Sequence, residues 1–134
     1  MPNDANLILA ASATVTGTTN GSALKFPGGT TRRGMKARVI YSAALVTSSP
    51  GTDTIAFSID VCYDGVPTLW YSEFYPPAII TLTATAQVGE VFIPFEIFPT
   101  SVANGTQIRL TATFSSTAHG NTITYQGDIT ATHP

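Results

Sequence analysis

Residues 55–63 read IAFSIDVCY: Ile55, Phe57, Ile59, Val61 and Tyr63 are large and apolar, and the residues between them are Ala56, Ser58, Asp60 and Cys62. A period of two puts all the large side chains on one face of a strand, whereas a helix would scatter them around its axis. Asp64-Gly65 follows, a pair suited to the positive φ angles of a tight hairpin turn, and residues 66–74 run back with β-favouring side chains around Trp70. A half-buried hairpin over residues 53–74 is therefore expected at the middle of the core.

The remaining segments repeat this pattern. Residues 7–16 predict a first strand, and residues 17–34 a long loop with turn signals at Asn20-Gly21 and Pro27-Gly28-Gly29. Residues 35–47 place Ala37, Val39, Tyr41, Ala43 and Leu45 on one face and Lys36, Arg38 and Ser42 on the other. Tyr75-Pro76-Pro77 should end the hairpin's return strand, because proline cannot donate to a ladder. Strands over 78–86, 88–98, 106–115 and from Ile123 to the end follow, and Pro94 implies an edge, a bulge or a bend.

No segment shows a helical period with caps. The expected fold is all-β: a single domain, residues 1–134, in which about eight strands form an antiparallel two-sheet β-sandwich. A jelly roll fits the strand count best and an immunoglobulin-like sandwich comes second, without the Cys…Trp…Cys signature of the latter. Hydrophobic residues make up 43% and charged residues 10%, which argues against disorder, and the formal charge of −2 is far from that of a general nucleic-acid binder. Serine and threonine supply about a quarter of the chain, and threonine suits strand faces that meet water.

Chemistry is sparsely signalled. The lone Cys62 excludes an internal disulfide and a cysteine-based metal site, and is expected to be a small packing residue. No apolar run is long enough for a membrane helix, and Leu7–Ala13 lacks the cationic flank of a secretory signal, so neither membrane insertion nor a targeting peptide is expected. Asp60 and Asp64 fall on a strand and in a turn, His119 and His133 lie far apart in sequence, and no phosphate loop or nucleophile elbow exists. An enzyme is not expected, nor a cofactor or metal. Asn20-Gly21-Ser22 and Asn104-Gly105-Thr106 match a glycosylation sequon but read first as Asn-Gly turns. Trp70 and its aromatic neighbours could stack on sugar rings, although packing in the core or at an interface is the plainer role.

Charge is unevenly placed. Lys25, Arg32, Arg33, Lys36 and Arg38 are five of the six cations; against Asp4 they give residues 1–38 a net +4, and Arg109 against seven carboxylates leaves the rest at −6. These five residues are the expected partner-binding set, steering the chain onto an acidic neighbour. Residues 91–98, VFIPFEIF, hold more apolar side chains than one sheet face can bury. Trp70, Phe92, Phe95 and Phe98 are accordingly the candidate subunit-interface residues.

The stretch TVTGTTNGSALKFPGGTTRRGMKARVIYSAA (residues 14–44), followed by TIAFSIDVCYDGV, resembles the small head-decoration, or cement, proteins of tailed bacteriophages encoded beside the major capsid protein. The likeness lies in the order Gly/Thr-rich loop, R-G-M-K-A-R-V strand, D-G hairpin, and covers the first half best. It implies a jelly-roll sandwich, made in the bacterial cytoplasm, that forms a homotrimer on the outer surface of the virion and bridges major capsid subunits, with no nucleic-acid or membrane partner. The alternative is a carbohydrate- or receptor-binding sandwich module of a phage tail or secreted protein.

Overall fold

The computed structural model describes residues 8–15, 17–21, 23–26, 32–44, 53–62, 70–71, 75–83, 86–97, 106–116 and 120–131. Among them are nine strands: β1 (Ile8–Val15), β2 (Thr19–Asn20), β3 (Leu24–Phe26), β4 (Arg32–Ala44), β5 (Thr54–Cys62), β6 (Ala78–Thr81), β7 (Ala86–Ile97), β8 (Thr106–Phe114) and β9 (Thr122–Ala131). They form two antiparallel sheets, ordered β1-β9-β4-β7 and β2-β8-β5-β6, with β3 also on β8. The pairs nest: β1 with β9, β2 and β3 with β8, β4 with β7, β5 with β6. This is one long hairpin rolled over on itself, so the sandwich is a jelly roll with β5 in its innermost turn. From Phe57 to Cys62 β5 is buried on both faces, where the alternation predicts a half-buried strand.

The inward faces close over one core. Ile55, Phe57, Ile59 and Val61 of β5 are buried, facing Ala37, Val39, Tyr41 and Ala43 of β4 and Ile123 and Tyr125 of β9 in the other sheet. Phe57 joins the layers, its ring centroid 6.3 Å from Tyr41 and 5.2 Å edge-on from Tyr125. Each such side chain contributes about 1.5–3 kcal/mol by leaving water. A second tie closes one end of β5, where buried Asn121 Nδ2 donates to buried Asp53 Oδ2 at 2.6 Å.

Three expectations need correction. The segment 17–34 is more than a loop: Asn20 belongs to β2, residues 24–26 form β3, and β4 begins at Arg32. Gly21 marks a close approach of backbones: a Cβ there would stand 2.8 Å from the Leu9 carbonyl oxygen and 3.0 Å from that of Leu110. Its amide donates to the Leu110 carbonyl at 2.7 Å. Secondly, the strand expected over 78–86 is shorter, β6 ending at Thr81, and of the return strand expected over 66–74 only Trp70 and Tyr71 are described. Within the described residues Tyr71 makes a single bridge to Val61, and the chain, past Pro76-Pro77, rejoins the same strand β5 as the short β6. The Asp64-Gly65 turn lies outside the described residues. Thirdly, the apolar excess of 91–98 is largely absorbed inside the chain, since Ile93, Phe95 and Ile97 are buried and Phe92 alone of the described aromatic residues there is exposed.

Pro94 sits where its missing donor is tolerated, on β7 at the edge of the four-stranded sheet. Gly34 has φ 68° beside the register shift between Arg32 and Met35, so the R-R-G-M run is a bulge that needs glycine's left-handed conformation.

Candidate functional site

The two outer faces of the sandwich are built differently. On the four-stranded sheet, the outward positions of β4 are Lys36, Arg38, Ile40 and Ser42, and those of β7 are Val88, Glu90, Phe92 and Pro94. Register places Arg38 opposite Phe92, Ile40 opposite Glu90 and Ser42 opposite Val88. Ile40 is thus the diagonal neighbour of both Phe92, 44% exposed, and Val88, 76% exposed. Threonines and Gln126 of β9 continue the face, and a shallow hollow of about 400 Å³ opens between Ile40, Ser42, Val88, Thr124 and Gln126.

The charges on this face are largely spent on one another. Arg38 Nε and Nη2 donate to Asp128 Oδ1 and Oδ2 at 3.3 and 3.1 Å, and Nη1 lies 3.8 Å from Glu90. The hydrogen bond to Asp128, with that carboxylate's charge, raises the Arg38 pKa above its ordinary value. Lys36 Nζ sits 5.5 Å above the Phe92 ring. What remains is a flat surface of apolar and hydroxyl groups, cheap to dehydrate.

On the other sheet the outward residues Ser58, Asp60, Cys62, Gln107 and Thr111 are all buried. Asp60 accepts from Ser58 Oγ at 3.4 Å, Arg109 Nε at 3.1 Å and Thr111 Oγ1 at 2.6 Å. Thr111 Oγ1 also lies 3.2 Å from the Asn20 side-chain amide. Its one hydrogen goes to the shorter, charged contact, which suits an Asn20 amide turned with its NH2 toward the hydroxyl. The Arg109 guanidinium stacks on Trp70, with Cζ 4.2 Å from the ring centroid.

The fold therefore divides the residues that the sequence singled out. Lys36, Arg38 and Phe92 share the outer face of the four-stranded sheet, while Lys25 is exposed on β3 in the opposite sheet. Arg32 and Arg33 open β4. Phe95 is buried against Tyr75, their centroids 6.2 Å apart, and so is closed to a second subunit in this fold. Trp70 meets Arg109, and Phe98, Asn104, His119 and His133 lie outside the described residues. Sequence reading passed over Ile40, Val88 and the Asp60–Arg109 pair. Ile40 and Val88 occupy polar-face positions of their strands, which was the available signal; the Asp60–Arg109 pairing depends on a register that sequence does not supply.

Beside the Gly34 bulge, a groove of about 520 Å³ runs between Met35, Tyr75, Pro76, Pro94 and Phe95. The Tyr75 hydroxyl closes one side by donating to the Glu96 carbonyl at 2.5 Å. Among the described residues no group of three or more His, Cys, Asp or Glu could hold a metal ion, and no helix is long and apolar enough to cross a membrane.

No family model matches the sequence, and no curated protein matches it. Among solved structures, the insecticidal delta-endotoxin Cry8Ea1 of Bacillus thuringiensis aligns with 88% of this chain at 12% identity and a TM-score of 0.40. The chain spans 18% of that protein's length.

Proposed function

We propose that the chain is a structural virion protein that decorates a bacteriophage capsid and stabilises it by bridging major capsid subunits from outside. The reading began with the resemblance of residues 14–44. The observation that carries it further is the outer face of the four-stranded sheet, where Phe92, Ile40 and Val88 lie exposed among threonines and self-neutralised charges. Such a face fits protein contact: it gains apolar burial on docking and leaves few ions to desolvate. A homotrimer and the major capsid protein are the partners proposed to cover it, with Lys25, Arg32, Arg33, Lys36 and Arg38 steering the approach.

Co-sedimentation of purified protein with undecorated heads tests the reading. Phe92→Ser should lower occupancy at a cost in stability of about 1 kcal/mol, that of a half-exposed strand side chain, which leaves the chain folded. Replacing Arg32 and Arg33 together by Glu should weaken attachment, and so should raising salt toward 1 M, where charges are screened beyond about 3 Å. Failure of the wild-type protein to sediment with heads removes the proposal, and equal occupancy for all three proteins at both salts removes Phe92 and the arginine pair from the contact. A monomer in analytical ultracentrifugation at micromolar concentration removes the trimer. The second reading, a glycan-binding module, is favoured by the half-buried Trp70 on the opposite sheet, and glycan binding lost in Trp70→Ala would select it.

A further inference from the structure

Arg109 is the only cation beyond residue 38, and its guanidinium is fixed on two sides. Asp60 holds its Nε edge at 3.1 Å and Trp70 covers one plane at 4.2 Å. Asp60 accepts three donors already, so it does not draw the rest of the fork toward itself. Among the described residues Nη1 and Nη2 of Arg109 have no protein partner, and the side chain as a whole is 22% exposed. Lys25 adds a second charge. It lies opposite Gln107, one alternation along β8 from Arg109 on the same outer face, and is exposed. With Asp60 counted, the three groups carry a net charge of +1.

We infer that Arg109 is a preorganised receptor for a carboxylate, gripped by both Nη groups in one plane, and that the carboxylate belongs to an acidic side chain of a protein partner. A carboxylate matches the fork in shape and the local charge in size. A tetrahedral phosphate would ask for a further donor out of that plane, on the side the indole occupies. A uronic acid would need an open aromatic plane for its ring, and the Trp70 plane facing the site is taken by the guanidinium. Ordering of the arginine in advance removes the rotamer cost that usually weakens a surface pair. The inference goes beyond the proposed function, since it holds whatever protein presents the acid.

The test is an NMR titration of the full chain with sodium acetate, ionic strength held constant with sodium chloride, following the Arg109 side-chain N–H groups and the Trp70 indole. The expected result is a saturating shift at Arg109 and Trp70, absent when chloride alone is raised. Arg109→Lys, which keeps the charge and loses the planar fork, should weaken acetate roughly tenfold. Lys25→Gln, at an exposed position, should weaken it about twofold through the lost charge. A linear response, or one that chloride reproduces, overturns the inference without need of any variant. So does unchanged acetate binding in Arg109→Lys, or inorganic phosphate or glucuronate binding about tenfold more tightly than acetate, where discrimination follows the geometry of the fork.

Discussion

Two Arg–Asp pairs stand directly across neighbouring strands, one on each outer face: Arg38 opposite Asp128 on the four-stranded sheet and Asp60 opposite Arg109 on the other. The chemistry is the same and the settings differ. Arg38 spends two nitrogens on its carboxylate side-on and has Glu90 beyond it, and Asp128 keeps 12% of its side chain in water. Arg109 offers one nitrogen to an Asp60 that is 4% exposed, and turns its plane onto Trp70. Strand alternation says which way a side chain points; what lies over that face decides whether it is solvated. The first pair is open to solvent on its arginine side, although Asp128 itself is buried. The second is the centre of a covered polar network, where a missing partner leaves a charge stranded.

The largest expected effect follows from that difference. Asp60→Ala removes the acceptor of three donors and leaves Arg109 partly buried without its counter-charge, which should cost about 3 kcal/mol, the lower end for breaking a buried pair. Asp128→Ala removes the partner of a cation that water can reach, and should cost much less. Urea denaturation of the two variants measures both. Equal losses would mean that the two faces are equally wet and would dissolve the comparison.

The same contrast explains how far the sequence could be read. The IAFSIDVCY alternation is one-sided by residue size, and the side of Ile55, Phe57, Ile59 and Val61 is the core side, so sheet class and jelly-roll count were legible. Pro94 on an edge strand was legible too, because a missing donor restricts where a residue can sit. The strands β2 and β3 were not, being two and three residues long and too short to display a period. Nor was the pairing of the segment after Pro76-Pro77, which returns to the same strand β5 as the four-residue β6. Ser58, Asp60, Gln107 and Thr111 lie on the polar sides of their strands and are nonetheless buried, beneath neighbours distant in sequence that no local pattern announces. Register brought Asp60 to Arg109, and no local pattern carries register.

A smaller effect sharpens the comparison with neutral groups. Thr111 Oγ1 meets Asp60 at 2.6 Å in the buried network, and Thr14 Oγ1 meets Thr124 Oγ1 at the same 2.6 Å on the exposed face. Thr111→Val keeps shape and strand preference but removes a charge-assisted bond, and should cost about 1.5–3 kcal/mol. Thr124→Val gives up a bond that water replaces on both sides, and its expected change is within about 0.5 kcal/mol of zero. Equal effects at equal bond length would show that distance governs these bonds and that burial does not.

The smallest expected effect is one of salt. A double-mutant cycle isolates the coupling within each pair, using Ala at Arg38 and Asp128 and then at Arg109 and Asp60. Between about 0.1 M and 1 M salt the screening length falls from about 10 Å to about 3 Å, but only where ions can approach the charges. The Arg38–Asp128 coupling should therefore shrink toward nothing across that range, since its arginine is solvent-facing and Glu90 competes for the same cation. The Asp60–Arg109 coupling should keep most of its value, because Trp70 and the strand neighbours hold ions away from the carboxylate edge. If the second coupling fell as steeply as the first, the Asp60 network would be open to solvent, and the carboxylate grip inferred for Arg109 would lose the rigid support that distinguishes it from an ordinary surface arginine.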